Sequence, residues 1–412
     1  MHPPASRRAH AHTASAPTKD TRSALFALLG TFAVQIMASL AVVAVPVLAP
    51  AAAAATSLSA NLTGIFVAVV YMSGMAASLF SGTFVQRFGA VRVSQVCLVL
   101  CGCGLFCVAS GALAPIAAGA VLLGFGYGPI TPASSHVLAK TTPERMMGFV
   151  FSVKQTGVPV GGALAGAVVP TLAMELGWQA AAACVGWVCL LTALLTQPIR
   201  QQLDCDRDPA ARLIASGLAG PLRTTLRNRP LRVLIVSSFF FGALQLCLVT
   251  YLVAYLVNGG VSLVRAGLML TVAQAAGVVG RPVFGALADR SERPAWVLGG
   301  VAVGMGLAAC ATASLGPHAP IGLVSAVCAA FGATAIGWNG VYLAQVARLA
   351  AAESVGAVTG AALAVTYAGV LVGPPAFALM TESGIGYATA FIVIGIPATC
   401  CGITLLWRGS RT

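Results

Sequence analysis

The sequence predicts an all-α integral membrane protein with twelve transmembrane helices, arranged as two six-helix pseudo-repeats around a central cavity. Three observations predict this fold: an apolar composition, twelve apolar runs long enough to cross a bilayer, and polar residues that recur in these runs with a period of three helices. Of the 412 residues, 58% are hydrophobic and 8% are charged. Soluble domains contain roughly 25% charged residues, so this chain cannot cover a soluble domain with polar groups.

The net charge of +13 does not indicate a nucleic-acid partner. Lys and Arg occur in small groups between apolar runs, whereas nucleic-acid binders cluster them on one face or helix. The twelve cysteines lie mostly inside apolar runs, and no His, Asp or Glu joins them to complete a metal-ligand set. We therefore expect no nucleic acid, no metal and no cofactor.

A bilayer core requires roughly 20 apolar residues per helix. By this measure the sequence predicts spans at 24–46, 62–83, 93–112, 116–138, 147–172, 178–197, 233–257, 264–286, 295–314, 319–344, 355–380 and 385–407. The predicted organisation is a disordered cytoplasmic tail (1–23), an N-terminal six-helix bundle (24–197), a cytoplasmic linker (198–232), a C-terminal six-helix bundle (233–407) and a short cytoplasmic tail (408–412).

The basic residues predict the orientation, because cytoplasmic segments near transmembrane helices carry an excess of Lys and Arg. With a cytoplasmic N-terminus, Arg265 is the only basic residue of the connecting segments that falls outside. We therefore expect both termini to be cytoplasmic. We expect a multi-pass protein of the plasma membrane, with the bacterial inner membrane as its location.

Polar side chains occur at depth in predicted spans 1, 2, 4, 5, 7, 8, 10 and 11. The middles of spans 3, 6, 9 and 12 contain no Gln, Asn, His, Lys or Arg. A polar group that faces lipid costs several kcal/mol, so the eight polar spans must border protein or water. The sequence therefore predicts a central aqueous cavity lined by these eight spans and braced by the other four.

Two cations, Lys154 in span 5 and Arg281 in span 8, lie inside predicted spans, and none of the ten Asp and Glu residues lies in the middle of one. Buried cations without a buried anion favour an anionic ligand, such as an organic carboxylate. The alternative is that both extend to the headgroups or support the inner gate. The predicted substrate-binding residues are Arg281, Lys154, Gln35, Gln155, Gln245, Gln274, Trp338 and Asn339.

His136, near the inner end of span 4, is the candidate for proton coupling, because histidine titrates near neutral pH. The alternative is that its ring faces the inner water. Hydrolysis in the membrane would require a nucleophile with a positioned base. This histidine has no partner carboxylate at depth in the sequence, so we expect no enzyme. ATP-driven transport is excluded as well, since the chain lacks the Gly-x-x-x-x-Gly-Lys-Ser/Thr loop.

The two halves contain corresponding motifs. The segment from Gly82 to Arg87 (GTFVQR) follows span 2, and the segment from Gly285 to Arg290 (GALADR) follows span 8. Gly157-Val-Pro159 in span 5 has its counterpart in Gly373-Pro374 of span 11. Repeats of this kind are typical of transporters. The predicted conformational and gating residues are Gly82, Gln86, Arg87, Gly285, Asp289, Arg290, Gly157, Pro159, Gly161, Gly162, Gly373 and Pro374.

On these motifs the chain resembles the major facilitator superfamily over its whole length after the N-terminal tail. Gly285-x-Leu-Ala-Asp289-Arg290 matches the signature loop of that superfamily, whereas its N-terminal copy has Gln86 in place of the expected Asp. The glycine and proline residues of span 5 resemble the antiporter motif, in the order Gly-x-Pro-x-Gly-Gly instead of Gly-Pro-x-x-Gly-Gly.

Arg281-Pro-Val-Phe-Gly285 is similar to the Arg-Pro-x-x-Gly of the monocarboxylate-transporter branch, in which the Arg contacts the substrate carboxylate. The acidic residue that this branch carries four positions earlier is Gly277 here. The resemblance implies a secondary active transporter that works by alternating access.

We expect a small organic anion as substrate, with proton symport or anion exchange, and a monomer in the lipid bilayer. The alternative is a multidrug or other small-molecule exporter of the same superfamily, although such exporters usually rely on a membrane-embedded acid that is absent here.

Overall fold

In the computed structural model, every regular element of the described residues is a helix. The structure describes residues 21–55, 62–143, 147–210, 227–291, 293–316, 319–349 and 355–409. In these ranges the helices are α1 (Thr21–Ala55), α2 (Leu62–Phe88), α3 (Ala90–Ala109), α4 (Leu113–Tyr127), α5 (Ile130–Thr141), α6 (Met147–Gln155), α7 (Gly157–Leu176), α8 (Trp178–Leu195), α9 (Gln197–Leu203), α10 (Arg229–Asn258), α11 (Leu263–Arg290), α12 (Pro294–Ala313), α13 (Ile321–Gly337), α14 (Asn339–Leu349), α15 (Val355–Glu382) and α16 (Tyr387–Gly409). The prediction of an all-α protein is confirmed.

Twelve helical segments of the described chain are long and apolar enough to cross a membrane, as predicted. Spans 1 to 3 are α1 to α3, span 6 is α8, spans 7 to 9 are α10 to α12, and spans 11 and 12 are α15 and α16. Spans 4, 5 and 10 each consist of two consecutive helices: α4 with α5, α6 with α7, and α13 with α14. Span 1 was predicted to end at residue 46 but continues to Ala55, because its last turns are rich in alanine, the strongest helix former.

The breaks in spans 4 and 5 lie next to proline residues. Span 4 is interrupted at Gly128 and Pro129, and span 5 at Thr156, just before Gly157 and Pro159. Proline lacks the N–H group that would bond the carbonyl four residues earlier, and its ring crowds that carbonyl. Each break therefore leaves backbone carbonyl oxygens free inside the membrane, where other side chains must satisfy them.

Both described ends of the chain lie on one side of the bundle, here called the terminal face, because the number of spans is even. The opposite side is called the distal face. Towards the distal face the two halves are in close contact. Gly166 of span 5 and Gly267 of span 8 pack backbone against backbone, so that a Cβ on either would overlap the other's carbonyl oxygen. Thr271 of span 8 donates a hydrogen bond to the carbonyl oxygen of Ala163, at 2.9 Å.

A second contact near the distal face joins spans 2 and 11. A Cβ at Gly64 would overlap the Tyr251 hydroxyl and the carbonyl group of Pro374, and that hydroxyl donates to the Pro374 oxygen at 2.9 Å. Towards the terminal face the same two spans are not packed tightly at their glycines. A Cβ at Gly82 in span 2 or at Gly360 in span 11 would meet no heavy atom within 4 Å. At the described glycines, the two halves therefore pack more closely near the distal face than near the terminal face.

The segment that follows span 6, within the predicted linker, packs against the terminal ends of spans 2, 3 and 4. The Asp204 carboxylate accepts hydrogen bonds from the N–H groups of Val91 (2.8 Å) and Arg92 (3.0 Å) at the start of span 3. The Asp208 N–H donates to the carbonyl oxygen of Gln86 at the end of span 2, at 2.7 Å. We call residues 204–208 the aspartate clasp. Its contact with span 4 runs through Asp206 and is described below.

Candidate functional site

A cavity of about 200 Å³, here called the central cavity, lies between the two halves of the bundle. Spans 2, 4 and 5 of the first half and spans 7, 10 and 11 of the second half line it, six of the eight spans that the sequence predicts around a cavity. Its lining residues are Tyr71, Gly74, Met75, Ser78, Tyr127, Gly128, Thr131, Gln155, Val158, Gly242, Gln245, Leu246, Asn339, Thr366, Tyr367 and Val370.

A smaller space of about 50 Å³ adjoins the central cavity, and we call it the Arg281 chamber. Ser39 of span 1, Gln274 and Arg281 of span 8 and Pro159 of span 5 contribute to its wall. The remaining lining residues are Val42, Val43, Tyr71, Tyr127, Val158, Gln245, Leu246, Val249 and Ile336. Five of these also line the central cavity, so the two spaces form one connected site.

Arg281 is held by backbone carbonyl groups of both halves. Its Nη1 donates to the oxygen of Gln155 at 2.8 Å, and its Nε donates to the oxygen of Ile336 at 3.2 Å. The Gln155 oxygen is available because the helical bond that it would accept comes from residue 159, and Pro159 has no N–H group. The proline in span 5 therefore creates the acceptor that positions the arginine of span 8.

Lys154 lies behind the cavity wall. Its side chain is 1% exposed, and its Nζ donates to Gln155 Oε1 at 3.2 Å and to the carbonyl oxygen of Thr131 at 3.4 Å. Lys154 and Gln155 form the last turn of α6, whose unsatisfied carbonyl groups make the C-terminus of a helix partly negative. Backbone dipoles therefore compensate the two cations. Neither forms a salt bridge with any Asp or Glu side chain that the structure describes.

Two predicted amides of the second half, Gln245 and Asn339, form one hydrogen-bonded group with Trp338. Gln245 Oε1 accepts from Trp338 Nε1 at 2.9 Å and from Asn339 Nδ2 at 3.2 Å. Gln245 and Asn339 line the central cavity. The side chain of Trp338 is completely buried and packs edge-to-face on Phe241. The indole thus holds the amide of Gln245 in place from behind and does not itself form the cavity wall.

The other two predicted amides occupy different places. Gln274 lies in the Arg281 chamber, where it packs on Gly162 of span 5. Gln35 is fully buried in span 1, and its Oε1 accepts a hydrogen bond from Thr131 at 3.2 Å. Within the described part of the chain, Gln35 Nε2 has no hydrogen-bond partner. Gln35 therefore lies behind the cavity wall, and its hydrogen bond with Thr131, which lines the central cavity, connects it to the site.

His136 lies at the terminal face, outside both spaces. Its Nε2 is 2.9 Å from Asp206 Oδ2, and Lys140 Nζ is 3.0 Å from Asp206 Oδ1. Burial alone would raise the pKa of Asp206, but the hydrogen bonds from Lys140 and His136 outweigh it and hold the pKa below its ordinary value. For the neighbouring Asp204, burial raises the pKa. The sequence places no carboxylate near this histidine at depth, and the structure supplies Asp206 from the aspartate clasp instead.

The predicted gating residues of spans 5 and 11 pack closely. A Cβ at Gly161 would overlap the carbonyl oxygen of Ile36 in span 1, and one at Gly162 would overlap Gln274 across the halves. Gly157 packs on Gln35, and Gly373 on the backbone of Ala243.

The gating residues of the two signature loops lie at the terminal face, where Gly82 and Gly285 border open space. Arg87 lies over the ring of Phe88, 5.5 Å from its centroid, and Arg290 is exposed. The Gln86 carbonyl oxygen bonds the aspartate clasp. The side chain of Asp289 lies outside the described part of the structure.

Three tyrosines of the central cavity were not among the predicted site residues: Tyr71, Tyr127 and Tyr367. Tyr71 and Tyr127 meet edge-to-face with 5.9 Å between ring centroids. In the sequence, the feature that could have identified them is their position in the middle of spans that carry other polar residues. A tyrosine at depth can equally bond a neighbouring helix, as Tyr255 does with the Thr312 oxygen at 2.8 Å. The sequence alone does not distinguish the two situations.

Comparison with known proteins supports the same fold. A bacterial homologue of the human lysosomal transporter Spinster, in an inward-facing and occupied conformation, has a TM-score of 0.75 at 16% identity, over 95% of this chain and 98% of that one. A peptide transporter of the POT family in complex with sulfate has a TM-score of 0.75 at 17% identity, over 97% of both chains. At these identities the likeness concerns the fold alone.

A curated relative, the multi-drug resistance efflux pump PmrA homologue of Lactococcus lactis subsp. lactis, is 30% identical over 115 residues. That match covers 26% of this chain and 28% of the relative. The family model of the Major Facilitator Superfamily matches residues 27–374, which is most of the chain. This protein therefore belongs to the Major Facilitator Superfamily and is a multi-pass membrane transporter, not an enzyme.

Proposed function

We propose that this protein is a secondary transporter that works by alternating access and carries a small organic anion. The observation that carries the proposal is Arg281, a guanidinium at the cavity whose described partners are backbone carbonyl groups. A guanidinium presents a planar fork that matches a carboxylate in a bidentate pair, and that pair is stronger than bonds to neutral carbonyls. A substrate carboxylate would therefore compete for Arg281 with the oxygens of Gln155 and Ile336.

The two halves of the bundle supply different parts of this site. Arg281 and Gln274 come from span 8, whereas Gln155 and Thr131 come from the first half. Lys154 bonds the side chain of Gln155 and thereby adds positive potential behind the wall. An anion bound between the halves would contact both of them, which is what a substrate must do to change how they pack.

The terminal face is proposed to be cytoplasmic, because the connecting segments on this side carry the basic residues. The protein would then have both termini inside the cell, and the conformation described here would be inward-open. A bacterial inner membrane fits this arrangement.

The site fits anion exchange, or a proton that travels on the substrate. It fits less well a mechanism in which a carboxylate within the membrane carries the proton. Among the described side chains, those that line the central cavity and the Arg281 chamber include no Asp, Glu or His. His136 is paired with Asp206 at the terminal face. Its role as a proton carrier stays a prediction that mutation can test.

The second candidate is a multidrug exporter. The observation that favours it is the match to the Lactococcus efflux pump, which extends over 115 residues. A lipophilic cation would meet Arg281 in the cavity without a compensating carboxylate among the described lining residues. An anionic or neutral drug would not have this disadvantage. Binding assays with a lipophilic cation and with a carboxylate of similar size separate the two candidates.

The decisive experiment is ligand binding to folded, monodisperse variants of Arg281. We expect Arg281→Lys to weaken carboxylate binding substantially, because lysine keeps the charge and loses the fork. Arg281→Gln should abolish binding, since breaking a buried charge pair costs about 3–5 kcal/mol, which corresponds to a more than hundredfold loss of affinity. Lys154→Gln probes the positive potential behind Gln155 and should weaken binding less.

The matched control is Arg265→Gln, which removes an exposed arginine at the distal end of the same span. This variant should bind carboxylates with native affinity. Native affinity in both Arg281→Gln and Lys154→Gln would refute the anion site and leave the transporter fold intact. A structural role of Arg281 predicts a different pattern: low yield of folded protein, with native affinity in the fraction that folds.

A further inference from the structure

The two connected spaces of the site differ in size and in chemistry. The Arg281 chamber measures about 50 Å³, a quarter of the volume of the central cavity. Its size suits a compact anionic head group better than a ring system. The central cavity measures about 200 Å³ and holds the remainder of any ligand whose head group reaches Arg281.

Three tyrosine rings from three different spans surround the path between these spaces. Tyr71 of span 2 and Tyr127 of span 4 line both the chamber and the central cavity, and their ring planes meet at 72°. Tyr367 of span 11 lines the central cavity and leaves 42% of its surface exposed. Aromatic rings favour offset-stacked or edge-to-face contacts with other planar rings. These tyrosines can provide both geometries to a ring that lies between them.

Tyrosine faces also attract cations, which gives a second interpretation of the cluster. Arg281 opens into the same connected space, however, and Lys154 adds further positive charge behind Gln155. No carboxylate among the described lining residues offsets them. The electrostatic environment therefore disfavours a cationic ligand, and the aromatic faces are available to a neutral ring.

We infer that the substrate is an aryl-bearing organic anion, with a compact anionic group at Arg281 and a planar aromatic body between Tyr71, Tyr127 and Tyr367. This inference rests on the proposed function, because it assumes the anion site, and adds the substrate class. Ser78, Asn339 and the amide of Gln245 lie around the same cavity and can bond polar substituents on the ring.

The test compares two carboxylates that differ only in the ring: 3-phenylpropionate and 3-cyclohexylpropionate. Binding is measured by thermal shift on the purified full chain, since a ligand that binds the folded state stabilises it. The cyclohexyl compound is the more apolar of the two, so burial of apolar surface alone favours it. We expect the phenyl compound to bind roughly threefold to tenfold more tightly, because planar contact with the tyrosines outweighs that difference.

The variant that tests the ring contact is Tyr367→Leu, which keeps an apolar side chain and removes the aromatic face. We expect it to abolish the preference for the phenyl compound, while both carboxylates continue to bind. Tyr387→Leu is the matched control, because Tyr387 packs on Phe377 and Tyr251 near the distal face and is not part of the cavity lining. The preference should persist in this control.

Three outcomes overturn the inference and differ in what they say about the proposed function. Equal affinity for both compounds, with loss of both in Arg281→Gln, refutes the aryl preference and preserves the anion site. A phenyl preference that survives in Tyr367→Leu shows that the ring lies elsewhere. No binding of either compound to the native protein refutes both the aryl preference and the carboxylate site.

Discussion

At Pro159, the absence of one N–H group determines where Arg281 lies. The carbonyl oxygen of Gln155 would otherwise bond residue 159 along the helix, and here it accepts a hydrogen bond from Arg281 instead. Gln155 and Arg281 are both predicted from the sequence as substrate-binding residues. Their direct connection could not be predicted, because it depends on how span 5 of one half approaches span 8 of the other.

Polar residues inside apolar runs indicate the chemistry of the site, but they do not indicate which side chains form its surface. Arg281, Gln155, Gln245, Gln274 and Asn339 are predicted and line the central cavity or the Arg281 chamber. Lys154 and Trp338 are predicted as well, but their side chains lie one layer behind. The sequence shows that a polar group is inside the membrane. It does not show which face of a broken helix carries that group.

The ion pairs of Asp206 give a pH prediction. Its pKa is lowered in the folded protein, so its stabilisation is complete above the ordinary carboxyl pKa of 3.8 and is lost as the pH falls through the lower folded value. Asp206→Asn should therefore lower the Tm at pH 7, and this loss should become smaller as the pH falls below 3.8. The pairs are partly exposed, so the change should not exceed about 1 kcal/mol.

The control for this measurement is Asp208→Asn, because the described hydrogen bond of the Asp208 carboxylate is to a neutral donor, the N–H of Ala210. A Tm that is unchanged at pH 7 in Asp206→Asn would contradict the assigned pairs. His136→Gln extends the test to transport. Proton-coupled uptake that is unaltered in this variant would show that the histidine is a structural partner of Asp206 and carries no proton.

At the scale of elements, the twelve spans are predicted correctly because their signal is local. Each span is an apolar run of sufficient length, and the bilayer sets that length. The breaks in spans 4 and 5 follow from their prolines, which are visible in the sequence. The break at Trp338 in span 10 has no proline beside it, and it lies between Gly337 and Gly340. Such a bend depends on packing against span 8, where Gly337 contacts Phe284.

The contact between spans 5 and 8 gives a prediction about conformation. Gly166→Ala places a Cβ where the carbonyl oxygen of Gly267 lies, so the distal halves of these spans must separate. We expect this variant to favour a state that is open at the distal face. The readout is the reactivity of Ala266→Cys with a membrane-impermeant maleimide, because Ala266 is completely buried in the closed structure.

Gly300→Ala in span 9 is the matched control, since a Cβ at that position meets no heavy atom within 4 Å. Labelling at Ala266→Cys should be fast in the Gly166→Ala background and slow in the control background. Equal labelling in both backgrounds would mean that the glycine contact does not determine whether the distal face is closed.

At the scale of the whole molecule, the proposed orientation can be tested with a native residue. Cys205 is exposed within the aspartate clasp, and Glu175 is exposed at the opposite end of the bundle. We expect an impermeant maleimide to label Cys205 in inside-out vesicles and not in intact cells, and to label a Glu175→Cys variant in intact cells. The Cys205→Ser variant is the control, because any labelling that remains in it comes from the other cysteines.

Labelling of Cys205 in intact cells would reverse the orientation. A cysteine at Leu218, in the predicted linker, provides a second position for the same test and lies outside the described residues. Both sites should respond alike, because the positive-inside asymmetry concerns this whole face of the protein.

The aspartate clasp has a mechanical consequence for a carrier whose two halves rock against each other. In the stretch of chain that leads from the first half towards the second, Asp204, Asp206 and Asp208 contact spans 3, 4 and 2. A pull on that connection is therefore shared by three helices and is not borne by the end of span 6 alone. Because the load is spread over these helices, such a pull favours rotation of the first half as one piece over displacement of span 6 alone.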